Sequence, residues 1–333
     1  MTPICNLIIR RLWPITIGLS VLCAISFAFS VIVQPQEAGS RQIVLEEFIR
    51  ARPAKSAETP TVVSSSKARS RTRVSSAVNR LKRTTYHRAS GALTSASSKR
   101  PGSNPAGSEE LGLTLWRLRP SKPNDSGARL LVMESSQPGE WTPERIEADT
   151  PLKIGERVRI SVESPRAGYL YVVDREQYAD GSLGDAYLIF PTTRTRNGDN
   201  KVRPGKLIDI PAQEDNPNYF TLVPSPSRSD QVAEVLSFIV TSKPLENLPI
   251  SERPLKVSKS DIAKWEKIWS SEVERLEMNG GAGQAWTNEE KAASATSSSR
   301  LLTQEEPPPQ TVYRTFSTSK TAVLVTVPLR YVK

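Results

Sequence analysis

Residues 152–213 read LKIGERVRISVESPRAGYLYVVDREQYADGSLGDAYLIFPTTRTRNGDNKVRPGKLIDIPAQ, and residues 234–245 resume with EVLSFIVTSKPL. Val158, Ile160 and Val162 alternate with Arg157, Arg159 and Ser161, the period-two pattern of a strand with one dry and one wet face. Pro165 to Gly168 turns the chain, and GYLYVVD at 168–174 predicts a buried strand. Asp180–Gly181 and Leu183–Gly184 punctuate the loop that follows. Further short strands are predicted at Ala186–Phe190, Lys206–Ile210, Tyr219–Val223 and Glu234–Thr241, with a Gly/Asn/Arg loop at Arg194–Lys201. No long helical pattern separates them. That disfavours a parallel α/β sheet and predicts an antiparallel β-sandwich or barrel.

Working outward, Leu111, Leu113 and Leu115 alternate as in a half-buried strand, and Arg129–Met133 is a second candidate. Glu134–Thr150 is polar, contains Pro138 and Pro143, and reads as a loop. On the other side, a connector with Pro244, Pro249 and Pro254 leads to the one clear amphipathic helix. Ser258 and Ser260 are candidate N-caps, and Asp261 suits the first turn. Ile262, Trp265, Trp269, Val273 and Leu276 form one apolar stripe, stopped at Asn279–Gly280–Gly281. At helical spacing Trp265 and Trp269 read as packing, with a ligand platform as the alternative. Thr287 and Glu290 resemble a capping box for a short helix over Asn288–Ala295. Gln304–Gln310, with three consecutive prolines, reads as a linker. Thr311–Phe316 and Ala322–Tyr331 supply two last strands. The β-sandwich domain is placed at 109–250. A helical extension with C-terminal strands packing on it occupies 251–333.

The charge is confined to one segment. Residues 50–100 hold 13 Lys and Arg against a single acid, Glu58, whereas residues 101–333 carry a net charge of −2. The +10 of the whole chain is therefore no argument for a nucleic-acid partner. Residues 34–108 are rich in Ser, Ala, Thr, Lys, Arg and Pro and predict a disordered basic linker, with a short helix around Val78–Tyr86 as a local option. A solvated spacer is the plain reading. An electrostatic tether to an anionic membrane surface through residues 50–100 is the sharper one.

Arg10 and Arg11 precede Ile15–Val33, a stretch without charge. This is an export signal, and residues 1–33 fit either a cleaved signal peptide or a retained transmembrane helix. The expected location is exported: periplasmic or cell-surface, membrane-anchored or secreted, with the C-terminal part outside.

Chemistry is mostly excluded by composition. Both cysteines, Cys5 and Cys23, lie in the leader, and the only histidine, His87, lies in the basic segment. The domain therefore has no disulfide, thiolate metal site or His-dependent triad. Asp174, Asp180 and Asp185 flank a glycine-bearing loop, which suits calcium, but the spacing of a helix–loop–helix calcium site is absent. Tyr169, Tyr171, Tyr178 and Tyr187 give the sheet an aromatic edge, either packing or a peptide- or glycan-binding surface. No catalytic, cofactor-binding or metal-ligating residue is assigned.

Taken together, VRISVESPRAGYLYVVDREQYADGSLGDAYLIFPT, PGKLIDIPAQ and YFTLVPS resemble the bacterial family catalogued as domain of unknown function 4384. The resemblance covers Leu152–Leu245. It implies an accessory or sensing module of the kind found alone behind export signals or fused to protein kinase or caspase-like domains. This chain has neither fusion partner, and the resemblance brings no catalytic residues. The expected function is a non-enzymatic extracytoplasmic binding, sensing or scaffold module whose partner is a cell-envelope protein or polymer. The alternative is a carboxylate-dependent hydrolase acting on cell-envelope polymers.

Overall fold

The strands run, in chain order, Ser108–Pro120 (β1), Leu130–Glu134 (β2), Gln137–Ile146 (β3), Arg157–Glu163 (β4), Gly168–Tyr178 (β5), Ala186–Phe190 (β6) and Lys201–Val202 (β7). Leu207–Ile210 (β8), Phe220–Thr221 (β9), Gln231–Thr241 (β10), Leu255–Val257 (β11), Val273–Glu277 (β12), Thr311–Phe316 (β13) and Ala322–Arg330 (β14) follow. Three short helices accompany them: residues 45–50 (α1), Lys259–Trp269 (α2) and Asn288–Ser294 (α3). The computed structural model describes residues 45–55, 108–134, 137–316 and 322–332. The leader at 1–33, the short helix expected around Val78–Tyr86 and His87 lie outside the described residues. So does most of the basic linker.

The protein is mainly β, built from two antiparallel sheets that do not close into a barrel among the described residues. β1 is the spine of the larger sheet. Its first half pairs with β13 and its second half with β3 along one edge, while β4 takes the other edge. β4 in turn pairs with β8 and β9. The smaller sheet runs β11-β6-β5-β10-β14, with β7 added to β5. Between the sheets lies the main core, in which Leu111, Leu113, Leu115, Val158, Ile160 and Val162 meet Leu170, Val172, Leu236, Phe238 and Val325. These are the alternate positions that the sequence marks as dry.

The outer face of the smaller sheet is covered by α2. Ile262 and Trp265 pack on Tyr171, Leu188 and Ile239, and Trp269 stacks on Trp265 at 6.1 Å. Ser258 is the N-cap, its hydroxyl accepting from Asp261 N at 3.0 Å. The helix is shorter than the stripe predicts. It ends at Ser270 in extended backbone, and Val273–Glu277 joins the larger sheet as β12. Leu276 is buried there against Phe48 and Val312, away from the tryptophans. Period-two and period-four spacing coincide over so few residues, which is why the stripe runs on too far.

The outer face of the larger sheet corrects four expectations. β1 is not half-buried: Glu110, Gly112, Thr114 and Trp116 are as buried as the leucines between them. β4 has no wet face, because Arg159, Ser161 and Glu163 are each within 2% of full burial. Gln137–Ile146 is not a loop but β3, inserted between β1 and β2, with Pro143 opposite Leu118 and its carbonyl accepting from Trp286 N at 3.0 Å. Residues 304–310 are not a free linker. They lie across the sheet, with Pro309 and Gln310 buried.

Part of the basic linker is likewise docked. In residues 45–55, Phe48 is 1% exposed and Arg52 is 2% exposed. Phe48 and Pro309 both press on Gly112, where an added Cβ would come within 2.6 Å of the Phe48 ring. Arg52 donates to both oxygens of Glu163 at 2.7 Å and to the carbonyls of Thr303, Glu306 and Pro307. A buried arginine so paired cannot stay in a solvated spacer. No helix among the described residues is long and apolar enough to cross a membrane.

Candidate functional site

Alternation along β5 puts Leu170, Val172, Asp174, Glu176 and Tyr178 on one face of the smaller sheet. The first two belong to the main core. The next three carry polar groups, so the inner face turns acidic toward one end of the sandwich. β10 runs antiparallel and repeats the change: Phe238 and Leu236 face the core opposite Val172 and Asp174, and Glu234 lies opposite Glu176. Tyr331, just beyond β14, donates its hydroxyl to Glu234 Oε1 at 3.0 Å, and Gln231 Nε2 donates to the same oxygen at 2.8 Å.

Asp174 on β5 and Glu234 on β10 are diagonal neighbours on paired strands, and both line the same cavity. Asp174 Oδ1 and Glu234 Oε2 are shielded from water and have no partner among the described residues. Two buried carboxylates in one cleft repel, so a proton on either one relieves the pair. Burial, followed by the Glu234 charge, pushes the Asp174 carboxyl well above the usual carboxylate range. Burial also raises Glu234. The same desolvation, reinforced by the Glu234 charge, raises the Tyr331 phenol.

The third acid is fixed by its neighbours. Tyr178 donates its hydroxyl to Glu176. Arg228 lies 4.0 Å above the Tyr178 ring and is itself tied to Asp180 at 3.1 Å and Asp230 at 2.5 Å. Gly184 N donates to the Glu176 carbonyl at 2.9 Å, and a Cβ at Gly184 would stand 3.2 Å from Glu176 Oε2. The absent side chain keeps this wall open. Asp174, Glu176, Tyr178, Tyr187, Glu234 and Lys259 line a cavity of about 500 Å³, a size usual for small-ligand sites.

Cations around the cavity are paired with acids other than Asp174, Glu176 and Glu234. Arg175 points to the other face, 2.5 Å from Glu266 of α2. Lys256 and Lys259 lie 2.5 and 4.0 Å from Asp185. Among the described residues, Asp174, Glu176 and Glu234 have no ion-pair partner. The cavity is therefore an acidic cleft, suited to a cation or to a ligand rich in hydrogen-bond donors.

Of the residues singled out in the sequence, Asp174 is in the cleft. Asp180 and Asp185 are held at its margin by Arg228 and Lys256. The three do not converge as calcium ligands, and the described residues contain no group of acids able to hold a metal ion. The four tyrosines divide between the faces. Tyr178 and Tyr187 line the cleft, while Tyr169 and Tyr171 belong to the packing under α2, with Tyr171 Oη accepting from Leu245 N at 2.9 Å. Glu176 and Glu234 escaped the sequence reading. The signal for them is the break in an otherwise apolar alternation on two paired strands.

Comparison with known proteins adds one match. Residues 151–237 match a family described as a domain of unknown function (DUF4384). No curated protein and no solved structure matches the chain.

Proposed function

Since the chain carries a DUF4384 domain at residues 151–237, we propose that it is a non-enzymatic, extracytoplasmic binding or sensing module. Its ligand is a cell-envelope protein or polymer that presents an amine or guanidinium to the acidic cleft. The observation that supports this reading is the set of carboxylates without a counter-cation at Asp174, Glu176 and Glu234. A cationic group entering the cleft displaces a proton held by these acids and gives Asp174 Oδ1 and Glu234 Oε2 the donors they lack. Binding then releases a proton, so affinity rises with pH until the pair has lost its proton unaided. The exported location rests on Arg10 and Arg11 ahead of the uncharged Ile15–Val33.

A hydrolase acting on envelope polymers is the second reading, and the acid pair is what favours it. Glycoside hydrolysis by two carboxylates needs them about 5–9.5 Å apart, leaving room for the bond or a water. Both buried oxygens lack donors, which a cationic ligand supplies, so binding is preferred.

Calorimetric titration of the full-length protein with spermidine and with a lysine-rich peptide tests the choice. The expected result is binding with proton release, tighter at pH 8 than at pH 6, and weakened about tenfold, or ~1.4 kcal/mol, by Asp174→Asn with Glu234→Gln. Absence of binding by either cation, or turnover of an envelope polymer that the double variant abolishes, overturns the binding reading.

A further inference from the structure

A second cavity, of opposite charge, lies toward the other end of β5, where β7 pairs with Gly168 and Tyr169. It is formed by the turn at residues 196–198, β7, the β7–β8 turn and the segment after α3. Its volume is about 330 Å³. Five basic side chains line it, Arg196, Lys201, Arg203, Lys206 and Arg300, against one carboxylate, Asp199. The two walls are pinned together by a backbone bond from Leu302 N to Gly205 O at 2.7 Å. Gly205 has φ of 76°, and a Cβ there would stand 2.5 Å from the Leu302 carbonyl. Only glycine allows the turn to approach this closely.

Arg196 is the decisive residue. It is 7% exposed, and its Nε has no partner among the described residues. Among the described residues its one hydrogen bond runs from Nη1 to the Ser294 carbonyl at 3.3 Å, at the end of α3. No carboxylate in the described residues forms an ion pair with it, although burying a guanidinium is unfavourable unless an opposite charge offsets it. Asp199, the one acid in the lining, forms its ion pair with Lys206 at 3.0 Å and none with Arg196. Arg300 is tied to Glu306. Lys201 and Arg203 are exposed at the mouth. Burial, followed by the neighbouring Arg196 charge against the pull of Asp199, lowers the Lys206 ammonium.

We infer that this cavity binds a phosphate-type dianion carried on a small molecule or lipid headgroup, with Arg196 and Lys206 at its base and Lys201 and Arg203 at its mouth. The guanidinium supplies directed donors for phosphate oxygens, and the lysines supply charge. The site is independent of the acidic cleft, and either reading can fail alone.

The full-length protein is titrated with inorganic phosphate, at ionic strength matched with sodium chloride, and separately with vesicles of phosphatidylcholine with and without phosphatidic acid. Lys201→Gln with Arg203→Gln, both at exposed positions, leaves the fold intact and is expected to weaken phosphate binding about tenfold. Arg196→Met is expected to abolish it, and a thermal melt shows whether that variant is folded. Phosphate binding weakened in the mouth variant supports a soluble ligand, and binding to neither phosphate nor vesicles overturns the inference. Binding only to phosphatidic acid vesicles, lost in the same variant, supports a lipid headgroup. Vesicle binding that the variant leaves unchanged, together with no phosphate binding or phosphate binding equally unchanged, overturns the inference.

Discussion

On the outer face of the smaller sheet, α2 is held by Ile262, Trp265 and Trp269 against Tyr171, Leu188 and Ile239, with ion pairs of Glu266 to Arg175 and Lys259 to Asp185 at the margin. The outer face of the larger sheet is covered just as completely, but by polar groups. Arg52 meets Glu163, Arg145 meets Glu290, Arg159 meets Asp209, and Arg314 meets Glu110 and Glu47. Arginines and tryptophans interleave there: Arg145 lies 5.2 Å from the Trp116 ring and Arg159 5.0 Å from the Trp286 ring. The two covers differ in what they tolerate. An apolar cover loses stability in proportion to the area removed. A buried ion pair contributes little net stability when whole, and costs much when one partner is removed. The polar cover is therefore less forgiving, and it specifies which segment docks where.

The sharpest way to break the comparison is at Arg159. Burial lowers the Arg159 guanidinium and raises Asp209, while their mutual attraction pulls each back. Arg159→Met leaves Asp209 without its cation and is expected to cost about 3–5 kcal/mol in denaturant unfolding. Replacing Asp209 by leucine as well should recover most of that loss. A double variant as unstable as the single one would show that the pair itself stabilises the face.

On the apolar side, Trp265→Ala should cost about 3 kcal/mol, whereas Ile268→Ala, at a position 51% exposed, should change little. Equal losses from the two would mean that α2 sits differently on the sheet. Next in size is the cap: Ser258→Ala should cost about 1 kcal/mol, read from the same melts.

The smallest and most gradual effect is that of pH. Asp174 and Glu234, raised by burial, hold protons in the folded state that the unfolded chain gives up. Their contribution is fully present below the ordinary carboxylate values and is lost as pH rises through the raised ones. Asp185 and Asp230, lowered by Lys256 and Arg228, work in the opposite sense, as does Asp180, which its bonds to Ser182 and Arg228 lower to about 2. Their contribution is lost only as pH falls through those lowered values. The unfolding midpoint should therefore decline from pH 5 to pH 8, and Asp174→Asn should flatten the decline. A midpoint that rises over this range would remove the acid pair from the account.

The apolar half of the molecule was legible in the sequence because burial there follows hydrophobic alternation. The strands around 158–162, 168–174, 186–190 and 234–241, the Ser258 cap and the Thr287–Glu290 capping box all follow from local pattern, although β5 runs on to Tyr178. The polar cover was not legible. Arg159 and Ser161 look like any solvated pair until Asp209 and Trp116 are brought to them, with Ser161 accepting from Trp116 Nε1 at 2.7 Å and donating to Asp209 at 2.5 Å. Arg52, Glu163 and Pro307 are far apart in the chain, so no local spacing announces them. The cleft was half legible: Asp174 stands out in a strand, but Glu234 gains meaning only from the β5–β10 register. Nor does the match at 151–237 enclose a whole sheet, since β1, β13 and β14 lie beyond it.

The placing of β1 at the centre of the larger sheet has a kinetic consequence. A chain made from its N-terminus has Leu111, Leu113 and Trp116 early, yet the edge of β1 that pairs Leu111 with Tyr313 stays open until about 200 residues later. Closing so long a loop costs chain entropy before any contact offsets it. Refolding should accordingly be slow compared with that of domains whose strands pair as they emerge. Until Thr311–Phe316 arrives, the unpaired edge of β1 is a surface on which a second unfinished chain can add a strand.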